Sequence, residues 1–252
     1  MGDLGEANTR TQLVLGDGWV EADETWTYAS SDDPTYTFTI ASFDATSKYS
    51  PGMRIKLTDS GTQYFIVTKV VFDDPGSTIT VYGGTDYDLS TGTITNPFYS
   101  TQKAPLDFPL DPLKWTVETR NTGNNTQSSP TQSTWYNLGG INIEIPIGVW
   151  RVYYQTVIQV WRAASIGYVI IYTTLSKANN SVDDVDFSAS FVSLNANASA
   201  SCNTAVFREK YLALSAKDTY YLNSMQDQAS MAGIGNVGGT SPNIIRAVCA
   251  YL

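Results

Sequence analysis

From Trp150 to Val160 the chain sets Trp, Val, Tyr, Thr, Ile and Val at every second position, with Arg151, Tyr153, Gln155, Val157 and Gln159 between them. A period of two is the mark of a β-strand with one face on a core, because successive side chains leave opposite faces of the pleat. A helix cannot satisfy it, since a helical apolar stripe recurs every three to four residues. Shorter runs of the same kind precede it. Trp26 and Tyr28 open one, Tyr36, Phe38 and Ile40 a second, Met53, Ile55 and Leu57 a third. Tyr64, Ile66, Thr68, Val70 and Phe72 read as one face of a fourth, and Ile79 with Val81 as a fifth. Turn chemistry separates them: Ser50-Pro51-Gly52, Asp59-Ser60-Gly61, Asp73-Asp74-Pro75-Gly76 and Gly83-Gly84. Proline presets one φ there and glycine supplies the next. Five short strands with tight turns and no helical period predict a small closed or nearly closed β-barrel.

Beyond residue 114 the spacing predicts strands over 149–162, 168–175, 185–194, 206–214, 220–225 and 244–251, with Trp115 to Val117 opening another. Eight or so strands in that length predict a jelly-roll β-sandwich. The fold class is therefore all-β, a small N-terminal β-barrel plus a C-terminal jelly-roll β-sandwich. The chain divides into an arm at 1–17, a barrel module at 18–94, a connector at 95–113 and the jelly roll at 114–252. Pro97, Pro105, Pro109 and Pro112 make the connector extended and semi-rigid. The stretch 121–134 is polar and turn-rich and reads as an exposed loop; 183–186 and 233–239 read as loops between strands.

Function is bounded first by an absence. None of the 252 residues is histidine, which removes Ser-His-Asp and Cys-His mechanisms, His-ligated zinc and facial-triad iron. Charged residues make up 15% of the chain, well below the usual ~25%. Polarity comes instead from hydroxyls and amides, a composition suited to surfaces that meet other protein. Residues 1–114 carry 16 acidic and 7 basic groups, and residues 115–252 carry 8 of each. The acidic half argues against nucleic acid, whose phosphates need clustered Lys and Arg. The neutral half suits packing against copies of itself. Cys202 and Cys249 fit neither a disulfide framework nor a zinc site; they can pair if their strands are neighbours, and free buried thiols are the expectation. No apolar run approaches the ~20 residues of a membrane helix, and the acidic start Met-Gly-Asp-Leu-Gly-Glu is no signal peptide.

Asp183, Asp184 and Asp186, with Asn179 and Asn180 nearby, offer oxygen ligands, but the calcium-loop spacing is missing and a solvated loop is the better reading. Glu118, Glu144, Glu209, Asp218 and Asp227 complete the carboxylates of that half, and none has the aromatic flanks of a sugar-cleaving pair. Gly235, Gly238 and Gly239 lack the downstream lysine or helix of a phosphate loop. Asn124, Asn179 and Asn197 match the N-x-S/T pattern, as a chain so rich in Asn, Ser and Thr will by chance. No catalytic, cofactor or metal residue is assigned. Most of the aromatics (6 Trp, 16 Tyr, 9 Phe) are expected in core or subunit contacts. Tyr153, Val157 and Trp161 fall on the outward face of the long strand, where exposure is costly, and are the candidate subunit interface. Asn124, Asn125, Asp183 and Asp184 are the candidate receptor-facing loop residues.

Two resemblances bear on function. Gly18-Trp19, Glu24-Thr25-Trp26-Thr27-Tyr28-Ala29-Ser30, the segment from Lys48 through Pro51-Gly52 to Leu57, Tyr64-Phe65-Ile66-Val67, Val81-Tyr82-Gly83-Gly84-Thr85-Asp86-Tyr87, Ile94-Thr95-Asn96-Pro97-Phe98-Tyr99-Ser100 and Phe108-Pro109 occur in order. The stretch 18–115 thereby resembles a module of structural proteins of tailed bacteriophages and prophages. That module often precedes a variable C-terminal domain in tail-fibre-like or other virion proteins, and no catalytic residues come with it. The strands GVWRVYYQTVIQV, VFREKYLALSAKDTYYL and RAVCAYL resemble the trimeric jelly roll of tumour-necrosis-factor and complement-type domains. Together they imply a non-enzymatic virion structural protein made in a bacterial host cytoplasm. The expected role is a homotrimeric tail-fibre or tail-tip component in host attachment. Its expected partners are copies of itself, other virion proteins and a host surface glycan or protein, with no cofactor, nucleic acid or membrane span. A capsid decoration or head-fibre protein is the alternative, and a carbohydrate-active enzyme the third reading.

Overall fold

The computed structural model describes residues 16–162, 168–194, 201–239 and 241–252. Residues 1–15 of the expected arm, and Asn197, lie outside the described residues. Seven strands come first: β1 (Val20–Glu21), β2 (Trp26–Asp32), β3 (Thr35–Ile40), β4 (Arg54–Thr58), β5 (Thr62–Asp73), β6 (Gly76–Tyr82) and β7 (Thr95–Ser100). They form one antiparallel sheet in the order β1-β7-β4-β5-β6-β3-β2. Trp26 stacks on Phe38 at 4.4 Å, and Ile55, Leu57, Phe65, Val67, Ile79 and Val81 join them in a buried core on one face. The sheet stays open among the described residues, with β1 and β2 as its edges. This corrects the closed barrel: β1 is two residues long and offers β2 almost no backbone to pair with.

Two further departures have local causes. Tyr64, Ile66 and Thr68 do not share a face with Val70, because the register of β5 against β6 shifts between Val67 and Lys69. One extra residue in a strand reverses every side chain after it. Ile66 therefore joins the jelly-roll core with Tyr64 against it, while Val70 packs with the first sheet's own core. The span 95–113 is also not a connector throughout. Its first residues are β7, where Pro97 sits at the register shift between Lys56 and Thr58 of β4, one of the few places a sheet accepts proline. The rest is packed down rather than strung out. The Trp19 indole N–H donates to the Leu106 carbonyl (2.9 Å), the Trp115 indole N–H donates to the Pro109 carbonyl (2.7 Å), and the Phe108 and Trp115 rings stack at 5.2 Å.

Ten strands follow: β8 (Thr116–Asn121), β9 (Asn125–Ser128), β10 (Tyr136–Ile145), β11 (Gly148–Arg162), β12 (Tyr168–Ser176), β13 (Ser188–Leu194), β14 (Ser201–Leu214), β15 (Asp218–Gln226), β16 (Met231–Asn236) and β17 (Asn243–Cys249). β11 is the spine of the larger sheet. One edge pairs with β14 from Gly148 to Trp161; the other pairs first with β17 and then with β16, which carry β8 and β9 in turn. The facing sheet runs β10-β15-β12-β13. This is a jelly-roll type sandwich, as the alternation of β11 predicts. Trp150, Val152, Tyr154, Ile158 and Val160 point inward onto Val169, Ile171, Leu175, Phe187, Leu222 and Ile245, all buried. β14 and β13 close one lateral seam of the sandwich; β9 and β10 face each other across the opposite one.

The two sheet systems share a core. Tyr82 of β6 meets Trp150 of β11 edge-on at 4.9 Å, and Ile66, Phe108 and Trp115 belong to the same buried cluster. Arg54 of β4 is wholly buried at this joint. Its guanidinium donates to the carbonyls of Gly52 (2.7 Å), Lys103 (3.1 Å) and Tyr251 (3.0 Å) and lies over the Phe108 ring. Burial lowers its pKa, with the Cys249 thiol pulling slightly the other way. Cys249 is a free, buried thiol.

Candidate functional site: an amide-lined groove and an aromatic ridge

The β9–β10 seam is not filled. A groove of about 690 Å³ opens there between Asn124, Asn125 and Gln127 on one wall and Trp135, Tyr136 and Asn137 on the other, with Asn180 at one end. Its shape comes from a break in β10. The register against β15 shifts between Asn137 and Asn142, and the extra residues bulge outward through Gly139 and Gly140, both with positive φ. At Gly139 a Cβ would lie 2.3 Å from the Asn125 side chain, so only glycine lets that amide lie over the bulge. The Asn137 side chain bridges the bulge, its Nδ2 donating to the Ile141 carbonyl at 2.9 Å.

The amides are held before anything binds. Asn125 Nδ2 donates to Asn236 Oδ1 (3.1 Å) and to the Gly123 carbonyl (3.2 Å), while Asn236 Nδ2 donates to the Leu138 carbonyl (3.0 Å). Asn180 Oδ1 accepts from the Asn137 N–H at 2.6 Å, and the Asn180 N–H donates to Asn223 Oδ1 at 3.2 Å. Asn223 is buried and fastens the 178–181 loop by donating to the Ala178 and Ser181 carbonyls. Asn124 Oδ1 accepts from the Gly238 N–H at 2.9 Å. One group stays open: Asn137 Oδ1 is buried with no partner among the described residues. Among the described residues, no carboxylate, ammonium, guanidinium or thiol lines the groove.

Of the four loop residues singled out from sequence, Asn124 and Asn125 are here and Asp183 and Asp184 are not. Asp183 Oδ2 accepts from the Lys177 N–H at 3.1 Å. Asp184 caps the short 3-10 turn Val185–Phe187 and ion-pairs with Lys210 of β14, locking the other seam. The Lys210 ammonium holds the Asp184 carboxyl below the usual range. Among the described residues no cluster of His, Cys, Asp and Glu could hold a metal ion. Trp135, Tyr136, Asn137 and Asn180 line the groove without having been singled out as loop residues; the readable signal for it was the Gly139-Gly140 pair inside an otherwise alternating run.

Tyr153, Val157 and Trp161 do lie on the outward face of β11, but each is half-buried. Tyr153 sits under the Arg246 guanidinium, itself paired with Glu118. Trp161 lies flat on β16, where Cβ atoms at Gly233 and Gly235 would come within 2.9 and 3.0 Å of its ring. The exposed apolar surface is one strand over. Phe207 is 76% and Tyr211 62% exposed on β14. They sit opposite Gln155 and Arg151 and so flank Tyr153 diagonally. Arg151 and Glu209 form an ion pair between them. β14 pairs only with β11 among the described residues, leaving a 14-residue strand with a free edge. The parity of β14 would have revealed the ridge: with Val206 and Leu212 inside, Phe207 and Tyr211 must be outside.

No protein-family model and no curated protein matches this sequence. Among solved structures, the chain is similar to dimeric latent PorU from Porphyromonas gingivalis, with a TM-score of 0.30 and 10% identity over 91% of this chain and 24% of that one. It is also similar to a chain of the infectious bursal disease virus Gx strain structure, with a TM-score of 0.29 and 9% identity over 95% of this chain and 81% of that one. For the VP2 subviral particle of the same virus the values are 0.27 and 12%, over 90% and 63%. The chain thus spans about a quarter of the length of PorU. At such TM-scores the likeness does not amount to a common fold.

Proposed function

We propose that this chain is a non-enzymatic structural protein of a bacteriophage virion, a homotrimeric tail-fibre or tail-tip component that serves in host attachment. The exposed ridge on β14 carries the reading. A Phe or Tyr side chain has roughly 200 Å² of surface, so Phe207 and Tyr211, at 76% and 62% exposure, leave on the order of 250–300 Å² uncovered. Covering that area is worth at most about 7 kcal/mol per protomer at ~25 cal/mol/Å². A long free edge strand beside such a patch invites uncontrolled pairing unless a partner covers it. A second copy of this chain suits the position: the Arg151–Glu209 pair offers both signs to the same pair on a neighbour, and residues 115–252 carry balanced charge.

The order β14-β11-β17-β8 facing β13-β12-β15-β10 supports the resemblance to trimeric jelly rolls, and the motifs of 18–115 support the virion assignment. The non-enzymatic reading is supported by how the carboxylates are spent: Glu118, Asp184, Glu209 and Asp218 each pair with a Lys or Arg. Sedimentation of the purified chain and gold-labelled antibody microscopy of intact particles test the two parts separately. A trimer that becomes monomeric when Phe207→Glu and Tyr211→Glu are combined, with label at the tail, is expected. A parent chain that is monomeric removes the interface, label over the head makes it a decoration protein, and label on no particle removes the virion assignment.

A further inference from the structure

We propose that the groove at the β9–β10 seam is a binding site for a neutral oligosaccharide, a di- or trisaccharide portion of a larger glycan. The binding chemistry stands on the groove alone; its use as a receptor contact rests on the attachment reading above.

Volume, charge and chemistry agree. About 690 Å³ lies within the range of small-ligand sites. With no charged side chain in the lining among the described residues, an acidic or basic ligand would be desolvated without a counter-charge, a cost a neutral one avoids. What the walls do offer is amides beside aromatic rings. Each Asn or Gln amide both donates and accepts, which matches sugar hydroxyls, themselves donor and acceptor. Trp135 and Tyr136 supply flat faces for the C–H side of a pyranose, with a polar handle at the ring edge. The Thr131 N–H donates to the Tyr136 hydroxyl at 2.8 Å, so the phenolic proton remains available to a ligand.

Unmet valence points the same way. Buried polar atoms nearly always find a partner, yet Asn137 Oδ1, on the same wall as the aromatic rings, has none among the described residues. An acceptor left unpaired there suits a sugar hydroxyl, which can donate to it. The cost of ordering the walls is already met by the Asn125–Asn236–Leu138 and Asn137–Asn180–Asn223 chains. The groove lies on the seam opposite β14, three strands away across β11 and β16 at ~4.8 Å per step.

The test is an array of neutral, sialylated and sulfated glycans probed with the full-length chain, followed by titration calorimetry on the best neutral binder. Neutral glycans are expected to bind. Trp135→Ala should weaken binding at least ~10-fold, and Gln127→Arg should do the same by placing a charged side chain on the opposite wall. Gln127→Arg also covers the case in which Trp135→Ala fails to fold. Val71→Ser, at an exposed position of the first sheet, should leave binding within ~2-fold. Binding confined to acidic glycans, no neutral binding at ~10 mM, where affinity would be under ~3 kcal/mol, or full binding in the folded Gln127→Arg chain would each overturn the proposal. None of these depends on where the protein sits on a particle, so antibody labelling and glycan binding can fail independently.

Discussion

Arg54 separates two accounts of the joint between the sheets, one based on charge and one on hydrogen-bond geometry. Its guanidinium reaches three carbonyls from three parts of the chain, Gly52, Lys103 and Tyr251, and no carboxylate pairs with it among the described residues. Arg54→Lys keeps the charge but replaces a planar fork by a point donor on a shorter reach. An ammonium placed there can serve one of the three carbonyls well, leaving two hydrogen bonds to a charged donor lost at ~1.5–3 kcal/mol each. Allowing for relaxation and water entry near Tyr251, the expected loss is about 3 kcal/mol. For a domain of this size that corresponds to roughly 6–12 °C in Tm. Arg54→Met orphans all three acceptors but also removes a buried charge, whose desolvation costs several kcal/mol, so its loss should be no greater than that of Arg54→Lys. The assay is urea unfolding of all three chains at one protein concentration, followed by intrinsic fluorescence. If Arg54→Lys unfolds within ~0.5 kcal/mol of the parent while Arg54→Met collapses, charge rather than geometry holds the joint, and the reasoning fails.

Two pH-linked predictions follow from the same structure. Burial pushes the Cys249 thiol up to about 11, against smaller lowering effects from a backbone hydrogen bond and the Arg54 charge. A raised folded pKa contributes stability in full below the unfolded value near ~8.5 and loses it as pH climbs through the folded one. In a Cys202→Ser background, Cys249 should therefore resist a thiol reagent at pH 8 and react only as the chain unfolds; labelling within seconds in native buffer refutes this. Asp184 is shifted the other way by Lys210, so its contribution exists above ~4 and fades as pH falls through its depressed folded pKa. Asp184→Asn keeps the cap on the Val185–Phe187 turn and should cost ~0.5–1 kcal/mol at pH 7, after screening. That gap should shrink as pH falls through the depressed folded pKa, as urea midpoints across the acid range will report; a gap that stays constant in acid would assign the effect to packing instead.

What could be read from sequence divides along physical lines. β11 was legible because a core face and a solvent face impose strict alternation, and the strands carrying Phe38, Ile55 and Ile79 were legible for the same reason. β9 and β16 were not. Asn125-Thr-Gln-Ser offers no apolar period, and β16 carries Gly233 and Gly235 because a tryptophan ring lies on its backbone; polar and glycine-rich segments read as loops even where they pair. The reversal inside β5 was invisible because a one-residue shift is decided by neighbouring strands, whereas the larger bulge in β10 left the Gly139-Gly140 pair as its mark. The groove was half legible. Asn124 and Asn125 announced an exposed polar surface, but Asn180 reaches it only through the hydrogen bonds that tie its loop to Asn137 and Asn223. Asp183 and Asp184 looked like surface charge and proved to be ties within the loop and across the far seam.

The Arg54 clamp also sets an order of events. Its last acceptor, the Tyr251 carbonyl, lies 197 residues further along the chain. While the protein is being made, at about 5–20 residues per second, the first sheet can pair its strands and gather Trp26 and Phe38 for ten seconds or more with that guanidinium still in water. The joint can be sealed and dried only when β17 arrives and carries the chain across β11. Contacts of such separation are slow to form. The first sheet thus waits with the surface of Tyr82 and Ile66 uncovered, and the newborn chain is most vulnerable to misassociation with its siblings in that interval, just before it becomes able to assemble with them correctly.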